Sequence, residues 1–282
     1  MKVTILGCGG SGGVPLVGGS DGTGHWGRCD PANPKNRRRR VSILARETVH
    51  DATGAETEVE ILVDTSPDLR EQMLAAGITR LDAVLFSHAH ADHLHGIDDL
   101  RPLYYATRER IPVYASPEAM QFIKTRFAYL FREKSAGDDA LYPAVLTAHE
   151  VAGPFDVAGV PIVSFEQIHG RRERTLGFRI ADMAYSTDVV DLDEAAFDAL
   201  AGVDVWIVDC LRFEPHPTHA HFDRTMSWID RVKPRRAILT HMNHTVDYDE
   251  IAARCPPGVE PAFDGMEIEV TAERIRSMKE SA

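Results

Sequence analysis

The chain has 282 residues, 44% hydrophobic and 26% charged, with 43 acidic against 31 basic side chains and a formal net charge of −12. It is long enough to bury a sizeable core; its acidic balance disfavours non-specific nucleic-acid binding, and it holds no apolar run long enough to span a bilayer. Four scattered cysteines, Cys8, Cys29, Cys210 and Cys255, lack a C-x-x-C spacing, so a cytoplasmic, reducing setting without a disulfide framework is expected.

In chain order, the apolar run KVTILG stops at Gly7, too short for a signal-peptide core, and reads as a first strand. Gly7, Gly9 and Gly12 then spell G-x-G-x-x-G. A dinucleotide fingerprint needs a helix next, whereas VPLVGGSDGTG has a proline, further glycines and no helical period. A tight glycine turn, where backbone approaches backbone or a site, is the expectation. Residues 7–40 read as a long loop or lid ending in RRRR. VSILARE and EVEILVD read as strands. DLREQMLAAGI reads as a helix capped by Ser66, with Pro67 at its first position and Gly77 at its end. LDAVLF is a buried strand, IPVYA another, and SPEAMQFIKTRFAYLF a helix with a Ser-Pro start. Residues 132–144 look like loop. Two β-rich segments follow, PFDVAGVPIVSFEQI and TLGFRIADMAYST. Then come helix DLDEAAFDALAG, strand DVWIVDC, helix FDRTMSWIDRV, strand RAILT and strand MEIEV. Strand and helix mix throughout with no low-complexity linker, which predicts a single α/β (α+β) domain over residues 1–282.

Between LDAVLF and IPVYA lies SHAHADHLHGIDD, with four histidines and three aspartates in thirteen residues. His88 and His90 are two apart, so in an extended segment they point the same way and can share one divalent ion. Asp92 and His93 project differently as the chain turns into a helix and can serve a second ion nearby. Solvated loop histidines are the plain alternative. Four at this spacing, with an aspartate among them at a strand end, favour metal binding.

H88-A-H90-A-D92-H93 resembles the H-x-H-x-D-H signature of the metallo-β-lactamase fold hydrolases, with the preceding apolar strand and Gly96 also fitting. The resemblance implies a four-layer αββα sandwich. It also implies His88, His90 and His169 on one ion, Asp92, His93 and His241 on a second, and Asp188 bridging both. Such a donor set suits two divalent ions, Zn²⁺ first and Mn²⁺ as the alternative. Asp64, ending EILVD, is similar to the family's early aspartate that orients a metal-bound histidine.

Within the superfamily, GSGGVP, LVDTSPDLR, ILTHMNH and FDGMEIEV resemble PhnP-type phosphodiesterases, which open a cyclic ribose phosphate. That resemblance implies hydrolysis of a small, cyclic nucleotide- or ribose-phosphate diester through a metal-bridging hydroxide. Its catalytic candidates are Asp92 and, as proton donor, His219 in PHPTHAHFD, with His221 in reserve. PhnP-type enzymes also hold a structural zinc with several cysteines in the N-terminal loop. Here that loop has only Cys29, with His25 nearby and His244 later, so His244 is expected to support His241 or touch substrate. Arg171, Arg172 and Arg174, and the run Arg37 to Arg40, are candidates for bidentate contact with phosphate. A small phosphodiester is the expected partner, with no stable nucleic-acid or membrane partner and a homodimer as the assembly to consider. The alternatives are a thioesterase of the glyoxalase II type, a transfer-RNA-processing nuclease, or a non-enzymatic metal-holding carrier or regulator.

Overall fold

A computed structural model describes residues 1–50, 53–132 and 143–271. The first half opens with β1 (Lys2–Gly7), β2 (Ser42–His50) and β3 (Glu56–Val63), paired antiparallel in sequence. It continues through α1 (Leu69–Ala76), β4 (Ala83–Leu85), α2 (Ala91–Leu94), α3 (Arg101–Thr107), β5 (Ile111–Ala115), α4 (Pro117–Arg126) and β6 (Leu146–Glu150). From β3 to β6 the pairing is parallel. The second half repeats the plan. β7 (Pro154–Val157), β8 (Val160–His169), β9 (Glu173–Ile180) and β10 (Met183–Ser186) pair antiparallel. After them come α5 (Glu194–Leu200), β11 (Val205–Asp209), α6 (Phe222–Val232), β12 (Arg236–Thr240), α7 (Tyr248–Arg254) and β13 (Val259–Pro261), with β10 to β13 parallel. β14 (Glu267–Glu269) returns to pair with β1. The strand orders are β14-β1-β2-β3-β4-β5-β6 and β13-β12-β11-β10-β9-β8-β7. Antiparallel neighbours need only hairpins, whereas parallel ones need crossovers, which is where the helices sit.

Alternation along the strands divides the apolar side chains between two faces. Val3, Ile5, Ile43 and Ile61 face inward and share one cluster with Ile162, Phe178, Tyr185 and Ile207 of the other sheet. Leu6, Leu44, Leu62 and Val84 point outward against Leu69, Met120 and Ile123 of α1 and α4. Leu200, Trp228 and Ile251 bring α5, α6 and α7 onto the second sheet. The layers are helices, sheet, sheet, helices, as the sequence resemblance implied.

Most expected elements form, with shifted ends. α1 starts at Leu69 rather than at Pro67, and its N-cap position is Asp68; Ser66 Oγ instead accepts from the Asp68 amide and donates to Gln72. Gly77 does end it, in the left-handed conformation. The Ser-Pro helix is capped by Ser116 on the Ala119 amide but stops at Arg126, followed by a 3-10 turn over Ala128–Leu130. The expected loop over 132–144 lies largely outside the described residues. Helices α3 and α7 and strands β6 and β13 had no counterpart in the sequence reading.

Candidate metal centre

The end of each inner parallel strand delivers one or more polar side chains to the same rim of the sandwich. Asp64 follows β3, Ser87 and His88 follow β4, Asp188 follows β10, Asp209 ends β11 and His241 follows β12. Open α/β sheets bind ligands outside the carboxyl ends of their strands, because the polypeptide turns away there and leaves a crevice. Three of these residues turn in an unusual way. Asp64, Asp188 and His241 have φ of 63°, 52° and 61°, the left-handed region that non-glycine residues seldom adopt. Such backbone persists only where surrounding structure holds it, and it aims side chains into the crevice.

Two donor groups that share Asp188 result, beside a third made of Asp209, His219 and His241. His88, His90, His169 and Asp188 form one, and Asp92, His93, Asp188 and His241 the other, with ligand atoms in each within 4.8 Å of one another. Asp188 is common to both. Its Oδ1 lies 3.0 Å from His93 Nε2 and 3.2 Å from His241 Nε2, and its Oδ2 lies 3.8 Å from His88 Nε2 and 3.7 Å from His169 Nε2. A cation fits these groups by a direct test. Buried polar atoms are normally hydrogen-bonded, yet His88 Nε2, His93 Nε2, His241 Nε2 and Asp92 Oδ2 have no such partner. They are the atoms that face the shared carboxylate.

The other ring nitrogens of His88, His93 and His169 are held from behind. Asp64, fully buried, accepts from the Ser87 amide at 2.8 Å and from Ser87 Oγ at 2.7 Å, and lies 2.7 Å from His93 Nδ1. Ser87 Oγ lies 3.0 Å from His88 Nδ1. His169 Nδ1 donates to the Thr218 carbonyl at 2.8 Å. Such partners fix ring orientation and leave Nε2 free as the ligand. Burial holds His88 and His169 below the usual imidazole range, which keeps their lone pairs available. Burial also acts to lower His93, but the carboxylates of Asp188, Asp64 and Asp92 outweigh it and hold it well above that range. His241 is likewise pushed up, against burial, to about 9 by Asp188, Asp92 and Asp209. Burial opposes ionisation of Asp188, yet His241 and His93 hold its carboxyl well below the usual range.

His219 joins the centre, its Nε2 3.9 Å from Asp188 Oδ2 and its Nδ1 3.0 Å from Asp209 Oδ2. Asp209 was absent from the sequence expectations. It also accepts from the Val189 amide at 3.1 Å, and its other oxygen lies 4.0 Å from His241 Nδ1. Asp209 thus braces His219 and the Asp188 turn, and stands as a charge beside His241. The signal in the sequence was an aspartate ending the apolar strand VWIVD, as Asp64 ends EILVD. His221 stands apart at the N-cap position of α6, where its carbonyl accepts from Thr225. His244 does not support His241 either. Its ring packs 5.2 Å from His25, and its carbonyl accepts from the Arg28 amide.

The N-terminal loop is tied down by hydrogen bonds. Cys29 donates its thiol to the Val246 carbonyl, and buried Arg38 donates to the Asn243 carbonyl and to Asn36 Oδ1, while Asn36 Nδ2 donates to Asp247. Three of the Arg37 to Arg40 run are therefore occupied, with Arg39 paired to Asp264 and Arg40 to Asp68, while Arg37 is exposed and lies over Trp26. The Gly7–Gly12 stretch makes the tight turn expected of it, with no helix after it. A Cβ on Gly10 would stand 3.5 Å from the His241 ring, so the turn brings bare backbone up to the second donor group.

A family model for the beta-lactamase superfamily domain matches residues 60–242. The chain belongs to that superfamily, and its fold and donor groups are those of a metal-dependent hydrolase. Within the superfamily it is PhnP-like. A diphosphatase of the PhnP family has a crystal structure that superposes with a TM-score of 0.79 at 31% identity, covering 95% of this chain and 96% of that one. Zn²⁺-bound PqqB from Methylobacterium extorquens shares the fold, with a TM-score of 0.67, 19% identity and coverage of 96% and 100%. An octanoyltransferase of Porphyromonas gingivalis is 31% identical over 278 residues, 98% of this chain but 53% of that protein. The chain thus spans about half the length of that relative. Among the described residues, no helix is long and apolar enough to cross a membrane.

Proposed function

We propose that the protein is a dinuclear metal-dependent phosphodiesterase acting on a small nucleotide- or ribose-phosphate diester, cyclic diesters included. The observation that carries this is Asp188, one carboxylate shared by two donor groups. His88, His90 and His169 would hold one divalent ion and Asp92, His93 and His241 the other. Zn²⁺ suits the mainly imidazole first group, and Mn²⁺ the second, richer in carboxylate. Bound there, such ions supply Lewis acidity: they make water nucleophilic near neutral pH and neutralise charge on the phosphoryl oxygens.

The chain's own groups do the rest. Asp209 can only accept, so the His219 proton it holds sits on Nδ1 and Nε2 turns toward Asp188 and the reaction centre. When protonated at Nε2, His219 gives that proton to the departing oxygen; Asp209 keeps the ring in place while it does so. Asp64 and Ser87 hold His93 and His88 from behind. The absence of a side chain at Gly10 lets the N-terminal turn pack directly on the backbone and ring of His241.

A second reading, hydrolysis of a diphosphate, is favoured by the name of the PhnP-family structure at 31% identity. Both substrates place an ionised, doubly substituted phosphorus at the centre, so one site suits either. The test is release of p-nitrophenol from bis-p-nitrophenyl phosphate by protein stripped with chelator and reloaded with Zn²⁺ or Mn²⁺, with metal counted per chain. Turnover at two ions per chain is expected. Protein holding two ions that hydrolyses a glutathione thioester, and neither a phosphodiester nor a diphosphate, would overturn it.

A further inference from the structure

A cleft of about 230 Å³ opens beside the first donor group, floored by His88, His90 and His169. One wall is α4, through Ala119 and Phe122; the other is the turn after β8 and the start of β9, through Arg172, Glu173 and Arg174. From this lining we infer that the cleft receives the nucleoside of a nucleoside phosphate, with Phe122 against the base and Arg172 and Arg174 against a phosphoryl group. The inference rests on the phosphodiester reading above and narrows its substrate class.

The lining is specific in three respects. Phe122 is half-buried against the helix-side core, and the guanidinium of Arg126 sits 3.5 Å from its ring centre. The ring is therefore held in place with one face covered by Arg126, and what remains on the cleft wall is an apolar surface against which a base can pack. Secondly, the arginines differ from those of the N-terminal run. Among the described residues neither Arg172 nor Arg174 lies within ion-pairing distance of a carboxylate, and Arg174 makes one long hydrogen bond, 3.4 Å, to the Glu173 carbonyl. Exposed charges of this sort are usually just solvated. Here they stand on the rim of the cleft that the metal-binding histidines floor. The third feature is Glu173, 60% exposed, with its carboxylate 3.6 Å from His90 Nε2 and 3.9 Å from His169 Nε2. It is an acceptor at the inner end of the cleft, where a sugar hydroxyl would meet it.

The aromatic wall separates this class from the simplest diesters. A small alkyl diester gains nothing from an aromatic wall.

The experiment compares two esters with the same leaving group, thymidine 5′-(p-nitrophenyl phosphate) and methyl p-nitrophenyl phosphate, on metal-loaded protein. The wild type is expected to prefer the nucleoside ester at least tenfold in kcat/KM. Phe122→Leu should cut that preference about fivefold or more, through KM, which is the scale of losing one base–aromatic stack. Arg174→Ala should raise KM about fivefold for both esters, since both carry the phosphoryl group, and leave the preference unmoved. Phe122→Leu keeps an apolar side chain on the helix-side core, and Arg174 is exposed, so the second variant leaves folding untouched. A wild-type preference within twofold of unity, one that Phe122→Leu does not move, or an Arg174→Ala KM unchanged for both esters overturns the inference. If neither ester turns over, the phosphodiester reading has failed, and calorimetry with AMP and inorganic phosphate decides the cleft by itself. AMP binding tighter than phosphate and weakened by both variants upholds it; AMP binding no tighter than phosphate, or unmoved by the variants, overturns it.

Discussion

Replacing Asp188 by asparagine tests the centre at its shared point. The side chain keeps its shape, and asparagine tolerates the left-handed backbone that Asp188 adopts at φ 52°, so the turn after β10 survives. What is lost is one negative charge set among imidazoles, with His93 and His241 Nε2 at 3.0 and 3.2 Å and His88 and His169 Nε2 at 3.8 and 3.7 Å. Two unit charges 4 Å apart interact by about 4 kcal/mol at an effective dielectric of 20. A divalent ion beside this carboxylate feels at least that much, which is about three decades in affinity. Both donor groups share the residue, so both ions should be lost. Metal content by mass spectrometry after gel filtration, a competing chromophoric chelator and bis-p-nitrophenyl phosphate turnover read the outcome. Near-empty protein with turnover down about a thousandfold is expected. An Asp188→Asn protein with wild-type metal content and a rate within tenfold of wild type would falsify the bridging assignment.

Three further outcomes follow from the same geometry. Substituting His219 by alanine should leave metal content intact and slow turnover by about 10²–10⁴-fold. The loss should be smallest for esters with acidic leaving groups, Asp209→Asn should fall between, and an equal loss across leaving groups would count against proton donation. Asp64→Asn should keep the fold yet weaken metal binding about 10–100-fold, because His93 and Ser87 lose their anchor; chelator competition that gives unchanged affinity would refute that anchoring role. Finally, metal-free protein should lose stability as pH rises. His241 titrates at about 9 in the fold, above the ordinary 6.5. Its contribution is thus fully present below about 6.5 and disappears as pH climbs through about 9, a change of roughly 3 kcal/mol, with His93 acting in the same direction. Urea midpoints of chelated protein that do not fall between pH 6 and 9.5 would contradict this.

The chemistry of the centre was legible because it is written locally. HAHADH follows an apolar strand, and two histidines two residues apart on extended chain must point together, whatever the rest of the fold does. Strand ends were legible for a similar reason: EILVD, LDAVLF, VWIVD and RAILT are apolar runs broken by one polar residue, which marks where backbone leaves the core. The matching of His169, Asp188 and His241 needed the family resemblance, since nothing local ties residues so far apart.

Other features escaped because they depend on what packs nearby. Asp209 has the same local setting as Asp64, yet its role exists only because parallel pairing of β10, β11 and β12 sets His219, Asp188 and His241 around it. The left-handed backbone at Asp64, Asp188 and His241 carries no glycine signal; neighbouring contacts impose it. Two arginine clusters of similar local charge meet different fates, because Asp68, Asp264 and Asn243 happen to face one of them and, among the described residues, no carboxylate lies within ion-pairing distance of Arg172 or Arg174 in the other. Residue type and spacing determined by themselves which atoms are able to bind metal and where the chain turns out of the core. Sheet order and the crossovers alone decided which of those atoms meet, since that rests on contacts between residues on different strands and loops, distant in the chain.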